Sequence, residues 1–270
     1  MYNLNFWEKY HRLNINYKMV IKMKKILLLM AVALPFVFIS CNDDKDEPDI
    51  PDTHEYVDLG LPSGTLWATC NVGAESPEEY GDYFAWGEVV PKEEYVWSNY
   101  KWAHWVYDTI SDHYYKVLEE TWFKYYVRNW TGTGYVMGDG KMELEPEDDA
   151  AYVNWGSRWR MPTLEQVQEL VDKCEWEWTR VKGVNGQLVT GPNGNSIFLP
   201  AAGGRVEYQF NDGVCAYYWS RTLCSPEKLR IQAADQHDAY LLFLDDRDSE
   251  IWFDSRYNGN TVRAVRARHK

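Results

Sequence analysis

Short runs of alternating hydrophobic and polar residues dominate the chain after residue 54, and such runs predict strands. Tyr56–Leu59 and Thr65–Cys70 flank the turn-forming residues Leu61–Gly64, which predicts two strands joined by a turn. Tyr83–Trp86 predicts another short strand. Beyond residue 173, more strand-like runs are separated by glycine-containing turns. The pattern is typical of an α+β domain with many short antiparallel strands.

One segment has a clear helical period, near residues 163–173. Thr163 can cap a helix there, and Gln166 stands three residues later, at the second position of a capping box. The apolar stripe behind this cap consists of Leu164, Val167, Leu170 and Val171. We therefore predict one clear helix in this region.

Residues 95–130 show neither the period of a helix nor that of a strand, although they are rich in aromatic side chains. We predict that this stretch is a long irregular insertion with some helix. Its aromatic density makes it the main candidate for a binding site, since ring faces stack on the apolar faces of sugars and their polar edges bond hydroxyl groups. The ligand-binding candidates are Trp97, Tyr100, Trp102, Trp105, Tyr107, Trp122 and Trp130. The alternative is that these rings pack a second small core.

The N-terminal pattern differs from the rest of the chain. Lys24 and Lys25 precede an uncharged run, Ile26–Ile39, and a small residue, Ser40, stands just before Cys41. This is the three-part pattern of a signal peptide, and the run is shorter than the ~20 residues of a membrane-spanning helix. We predict a signal peptide at residues 23–40. Residues 1–22 do not fit ahead of it and are interpreted as a misassigned extension.

Phe38–Cys41 resembles a lipobox, the site at which bacterial lipoproteins are lipidated and cleaved. Cys41 would then carry the lipid and hold the protein on a membrane, because two acyl chains suffice for stable anchoring. Residues 41–53 follow as a polar, strongly acidic stretch that is typical of a flexible tether. This acidic run resembles the signal that sends Bacteroidetes lipoproteins to the outer face of the outer membrane.

Residues 54–270 are long enough for one sizeable domain. Removing residues 1–40, with six basic residues and one acidic residue, leaves 22 basic and 40 acidic residues, a formal charge of −18. Such a charge argues against a nucleic-acid partner. Cys215 and Cys224 flank a short segment and are a possible disulfide; free buried thiols are the alternative.

Six ordered motifs resemble the Fibrobacter succinogenes major paralogous domain, which occurs in Bacteroidetes lipoproteins. They cover 57–73 (VDLGLPSGTLWATCNVG), 80–88 (YGDYFAWGE), 148–163 (DDAAYVNWGSRWRMPT), 197–203 (IFLPAAG), 216–220 (AYYWS) and 260–266 (NTVRAVR). The resemblance implies a C-type-lectin-like fold related to sulfatase-modifying factors, with the first and last strands paired. Thr65–Thr69 and Thr261–Ala267 would be those strands.

Three functions follow from these observations. The leading hypothesis is a surface-exposed outer-membrane lipoprotein whose non-catalytic domain binds a glycan, or a host or surface protein, through the aromatic insertion. The second is a structural or assembly subunit of a surface appendage or complex. The third, an enzyme, has least support, because the sequence contains no His-Glu-x-x-His, Gly-x-Ser-x-Gly or phosphate-binding loop motif. We expect no cofactor and no metal, although the acidic residues 143–149 are a weak candidate for calcium.

Overall fold

The computed structural model describes residues 53–111, 114–205, 211–224 and 236–267. These residues belong to one compact unit, Ile50–Lys270. The predicted extension, signal peptide, lipidated Cys41 and nearly all of the acidic tether lie outside the described residues. None of the helices in the described ranges has the length and apolar character that a membrane crossing requires.

Within the described residues the fold consists mainly of short antiparallel strands with two α-helices. The strands are β1 (Tyr56–Asp58), β2 (Leu66–Asn71), β3 (Ala103–Ser111), β4 (Tyr114–Trp122), β5 (Arg128–Trp130), β6 (Tyr135–Met137), β7 (Glu175–Val181), β8 (Val184–Thr190), β9 (Ser196–Pro200), β10 (Ala216–Leu223), β11 (Asp238–Leu244), β12 (Ser249–Ser255) and β13 (Arg263–Arg266). The helices are α1 (Ala150–Trp155) and α2 (Leu164–Lys173).

These strands form five small sheets with the orders β1-β2-β13, β3-β4, β5-β6, β7-β8-β9 and β10-β11-β12. The predicted pairing of the first and last strands is confirmed, because β2 pairs antiparallel with both β1 and β13. Trp67 of β2 stands opposite Val57 on one side and Val265 on the other. The two ends of the described domain therefore meet in one sheet.

The predicted helix is also confirmed. Thr163 is the N-cap of α2, its hydroxyl accepts from the backbone N–H of Gln166, and the Gln166 side chain accepts in return from the Thr163 N–H. Val167 and Leu170 are buried in a hydrophobic cluster that also contains Trp67, and the helix packs against β10, β11 and β12. The capping box and the apolar stripe thus fix this helix on the sheets.

Two sequence predictions about secondary structure are wrong. Tyr83–Trp86 is not a strand and contributes only an isolated bridge between Phe84 and Asn260. The segment 95–130 contains paired strands, and the single 3-10 turn Trp97–Asn99 holds the only helical residues in its described part. A register shift after Val106 interrupts the alternation, and Val106 and the adjacent Tyr107 are both exposed. The register shift and these two neighbouring exposed residues break the period of two in polarity by which a strand is predicted.

Candidate functional site

Arg256 is fully buried beneath the aromatic insertion and joins it to the rest of the domain. Its Nε donates to the Tyr100 hydroxyl at 3.0 Å, and one terminal nitrogen donates to the backbone oxygens of Tyr125 at 2.9 Å and Gln236 at 3.1 Å. The guanidinium carbon lies 4.5 Å from the centre of the Trp122 ring. Burial lowers the pKa of Arg256 from its usual value, and the aromatic faces and carbonyl oxygens partly compensate for the lost hydration.

Two of the predicted ligand-binding residues belong to this interior. Tyr100 and Trp122 are only 5% and 1% exposed. Tyr100 also donates to the backbone oxygen of Trp86 at 2.8 Å. Their ring faces are covered by protein, so the prediction that they contact a ligand is wrong for this structure. They form part of the second small core that was the alternative reading of this segment.

Four other rings form a contiguous row, which we call the aromatic strip and define as Tyr257, Trp97, Trp105 and Tyr107. Ring centres are 4.2 Å apart for Tyr257 and Trp97, 4.0 Å for Trp97 and Trp105, and 5.8 Å for Trp105 and Tyr107. Three of the rings are half-buried, and Tyr107 is 43% exposed. Three of the seven predicted residues thus come together as partly exposed rings, with Trp97 stacked between Tyr257 and Trp105.

The two remaining candidates lie outside the strip. Trp102 is half-buried, donates from its ring nitrogen to the Gly87 oxygen at 2.8 Å, and has the Lys101 ammonium 4.0 Å from its ring centre. Its outer face is therefore occupied. Trp130 ends β5 and packs on Tyr135, with ring centres 5.1 Å apart.

A half-buried acid and an imidazole border the strip. Glu120 stands directly opposite Trp105 in the β3–β4 pair. Its Oε1 accepts from Gln236 Nε2 at 2.7 Å, lies 2.8 Å from His237 Nε2, and accepts from the ring nitrogen of Trp122. The His237 ring stacks on Trp122, with centres 5.2 Å apart. Hydrogen bonds converge on Oε1, whereas Oε2 accepts none from the described residues.

The charge state of Glu120 follows from these contacts. Burial alone would raise its pKa, but the hydrogen bonds from His237, Trp122 and Gln236 outweigh burial and lower the pKa below its usual value. Glu120 is therefore ionised at neutral pH. The aromatic strip thus has a fixed negative charge and an available acceptor atom at its border.

Sequence reasoning missed Tyr257, Glu120 and His237. Tyr257 and His237 lie more than 100 residues beyond the insertion, and no local motif connects them to it. Glu120 had a usable signal, because recognising β3 and β4 as paired strands would have placed it beside Trp105. The failure to predict those strands therefore also concealed the polar part of the site.

Comparison of the chain with protein-family models, with curated proteins and with solved structures finds no match. The resemblance to the major paralogous domain accordingly stays a prediction. The fold itself, short antiparallel strands in small sheets with few helices, is what the geometry establishes.

The acidic segment proposed as a weak calcium candidate is neutralised by lysine. Glu145, Glu147 and Asp148 bring their carboxylates together. The Lys124 ammonium lies 2.6 Å from Asp148 Oδ2 and 3.2 Å from Glu147 Oε1, and it also pairs with Glu145. Lys124, which lies two residues beyond the end of β4, therefore supplies the positive charge that these acids attract.

The proposed disulfide between Cys215 and Cys224 is wrong. All four cysteines of the described residues, including these two, are free thiols. Cys215 precedes β10 and Cys224 follows it. A strand advances ~3.3 Å per residue, which separates their Cα atoms by roughly 30 Å, whereas a disulfide needs less than ~7 Å. Burial raises the pKa of both thiols.

Two clefts lie away from the strip. One of about 350 Å³ is lined by His54, Cys70 and Trp155, among others, and one of about 200 Å³ by Tyr83 and Arg205, among others. In the first, the His54 ring stacks on Trp155 with centres 3.9 Å apart. In the second, Arg205 lies over the Tyr83 ring at 3.8 Å and also pairs with a carboxylate. The residues that line these clefts are thus engaged with one another.

Proposed function

We propose that the protein is a lipid-anchored outer-membrane lipoprotein, exposed at the cell surface, whose non-catalytic domain binds a glycan on the aromatic strip. The observation that carries this proposal is the contiguity of Tyr257, Trp97, Trp105 and Tyr107. Isolated half-exposed rings are common on proteins, whereas four adjoining ones present an extended apolar surface. A sugar ring can pack its apolar face across the partly exposed rings of this stack.

The polar border narrows the class of glycan. Glu120 Oε2 can accept a hydrogen bond from a sugar hydroxyl, and a charged acceptor makes such a bond stronger than a neutral one. The same negative charge repels uronic acids, sialic acids and sulfated sugars. We therefore favour a neutral glycan as the ligand.

The fold assignment is part of the same proposal. We infer that the domain is C-type-lectin-like and related to the major paralogous domain of Bacteroidetes lipoproteins. The antiparallel pairing of β2 with β13 and the long insertion between β2 and α1 support this inference.

The lipid anchor rests on the sequence around Cys41. Labelling with an alkyne fatty acid tests it, since the label should enter the wild-type chain and be absent from Cys41→Ala.

Binding to a panel of immobilised glycans tests the central proposal. The folded unit Ile50–Lys270 should bind neutral oligosaccharides saturably and should not bind uronate or sulfated ones. Trp105→Ala should abolish that binding. Trp252→Ala is the matched control, because Trp252 is 44% exposed but lies on β12 outside the strip. The absence of saturable binding, or an equal loss of glycan binding in both variants, would refute the proposal.

A further inference from the structure

Strand β6 exposes all of its side chains. Tyr135 and Val136 are each 56% exposed and Met137 is 74% exposed. Neighbouring residues of a strand point to opposite faces, so apolar groups are open on both sides of β6. None of the three residues carries a charge, which is the usual protection of an exposed strand. This strand has the features of one that pairs with another chain.

The two edges of the β5–β6 sheet differ in their hydrogen bonding. The outer side of β5 is covered by the side-chain amide of Gln236. Its Oε1 accepts from the Arg128 N–H at 3.0 Å, and its Nε2 donates to the Arg128 oxygen at 2.7 Å. This amide makes the two bonds that a neighbouring strand would make, so that edge of the sheet is closed.

The register of β5 and β6 shows which groups the other edge presents. Hydrogen bonds join Gly138 N–H to the Val127 oxygen and Thr131 N–H to the Gly134 oxygen. Antiparallel pairs alternate between bonded and non-bonded, so Val136 bonds to β5 while Tyr135 and Met137 direct their N–H and C=O groups away from it. Among the described residues no backbone group pairs with this edge. β6 is therefore an open edge.

We propose that β6 pairs antiparallel with β6 of a second copy of this chain. When Val136 faces its counterpart on a two-fold axis, the outward groups of Tyr135 meet those of Met137 in the other copy. Both three-residue strands then overlap completely, and four backbone hydrogen bonds form. Gly134 and Gly138 flank the strand, so no side chain obstructs the approach of the second backbone.

A second copy suits this edge because the edge is complementary to itself. The contact is much smaller than the ~800 Å² per partner of a standard interface, so the dimer is weak and depends on concentration. Pairing also covers the apolar side chains of both strands. An antiparallel four-stranded sheet β5-β6-β6-β5 would result, closed at each end by Gln236.

Sedimentation velocity of Ile50–Lys270 over a concentration series tests the proposal. The wild type should shift from monomer toward dimer as concentration rises. Val136→Lys places two like charges directly opposite each other, roughly 5 Å apart, and should stay monomeric at all concentrations. Val136→Glu should stay monomeric too. An equimolar mixture of the two variants should recover the dimer, because opposite charges then face each other.

Val153→Lys is the matched control, since Val153 is 45% exposed on α1, far along the chain from β6. It should dimerise as the wild type does. A wild type that remains monomeric at the highest concentration overturns the proposal. So does a dimer that persists unchanged in Val136→Lys, because another surface must then form it.

Discussion

The inner and the outer aromatic rings of the insertion have different environments, although they come from the same stretch of sequence. Trp122 and Tyr100 surround the Arg256 guanidinium and are almost completely buried. Trp97 and Trp105 lie in the next layer, make edge-to-face contacts with Trp122, and remain partly exposed. Contact with Arg256 therefore separates the structural rings from the available ones.

This difference shows that aromatic density by itself does not locate a binding site. A buried ring contributes its full apolar area to folding, whereas a half-exposed ring contributes less and leaves surface for a ligand. The inner layer also makes the outer one rigid, because Trp97 and Trp105 rest on packed neighbours. A rigid platform loses little conformational entropy when a ligand binds.

The largest expected effect separates the two layers by stability. Trp122→Ala removes a fully buried indole and should lower the free energy of unfolding by about 3–5 kcal/mol. Trp105→Ala removes a half-buried one and should cost about 1–2 kcal/mol. Urea denaturation followed by circular dichroism measures both. Equal losses would remove the distinction between inner and outer rings.

The second prediction concerns the cation at the centre of the inner layer. Arg256→Lys keeps the charge but loses the planar fork, so it leaves buried carbonyl groups of Tyr125 and Gln236 without a donor. We expect a loss of about 2–3 kcal/mol in the free energy of unfolding. Arg247→Lys is a suitable control, because that side chain is 83% exposed and should tolerate the change. A stable Arg256→Lys variant would show that the inner layer does not depend on the guanidinium.

The third prediction separates binding from stability in the outer layer. Tyr107→Ala should lower the free energy of unfolding by about 1 kcal/mol or less, because the ring is 43% exposed. Glycan affinity should nevertheless fall at least about tenfold, since one stacking ring is lost. Tyr56→Ala, at 48% exposure and outside the strip, is the control. If both variants bind equally, Tyr107 is not part of the site.

The smallest expected effect is a dependence of stability on pH. The pKa of Glu120 is lowered in the folded state, so its ionised form contributes stability above the ordinary pKa of a glutamate. That contribution disappears as the pH falls from about 4.5 through the folded pKa. Glu120→Gln should therefore lose less stability than the wild type between pH 6 and pH 3. Parallel curves for the two proteins would show that the carboxylate is not held in its charged form.

The sequence predicted those parts of the fold whose signal is local. The Thr163 and Gln166 caps and the apolar stripe behind them define α2 within a few residues. The pairing of β2 with β13 came from the family resemblance, because no local pattern joins segments almost 200 residues apart. Strands β3 and β4 escaped prediction because register shifts break their alternation, and β6 because exposure on both faces removes it.

For the candidate site, composition indicated the aromatic segment but could not separate its buried rings from its partly exposed ones. Trp105 and Trp122 have the same chemistry and belong to one hairpin, yet Trp122 is buried against Arg256 and Trp105 is partly exposed. Arg256, Tyr257 and His237 reach the insertion through tertiary packing. Such long-range contacts leave no trace in the sequence around residue 100.

The affinity of the aromatic strip for a neutral oligosaccharide is the most direct test of the account. Calorimetric titration would compare the wild type, the double variant Trp97→Ala with Trp105→Ala, and the control Trp252→Ala. We expect the control to bind as the wild type does, and the double variant to lose affinity by at least about 100-fold while circular dichroism shows it folded. A folded double variant that binds with wild-type affinity would contradict the assignment of the strip as the glycan-binding surface.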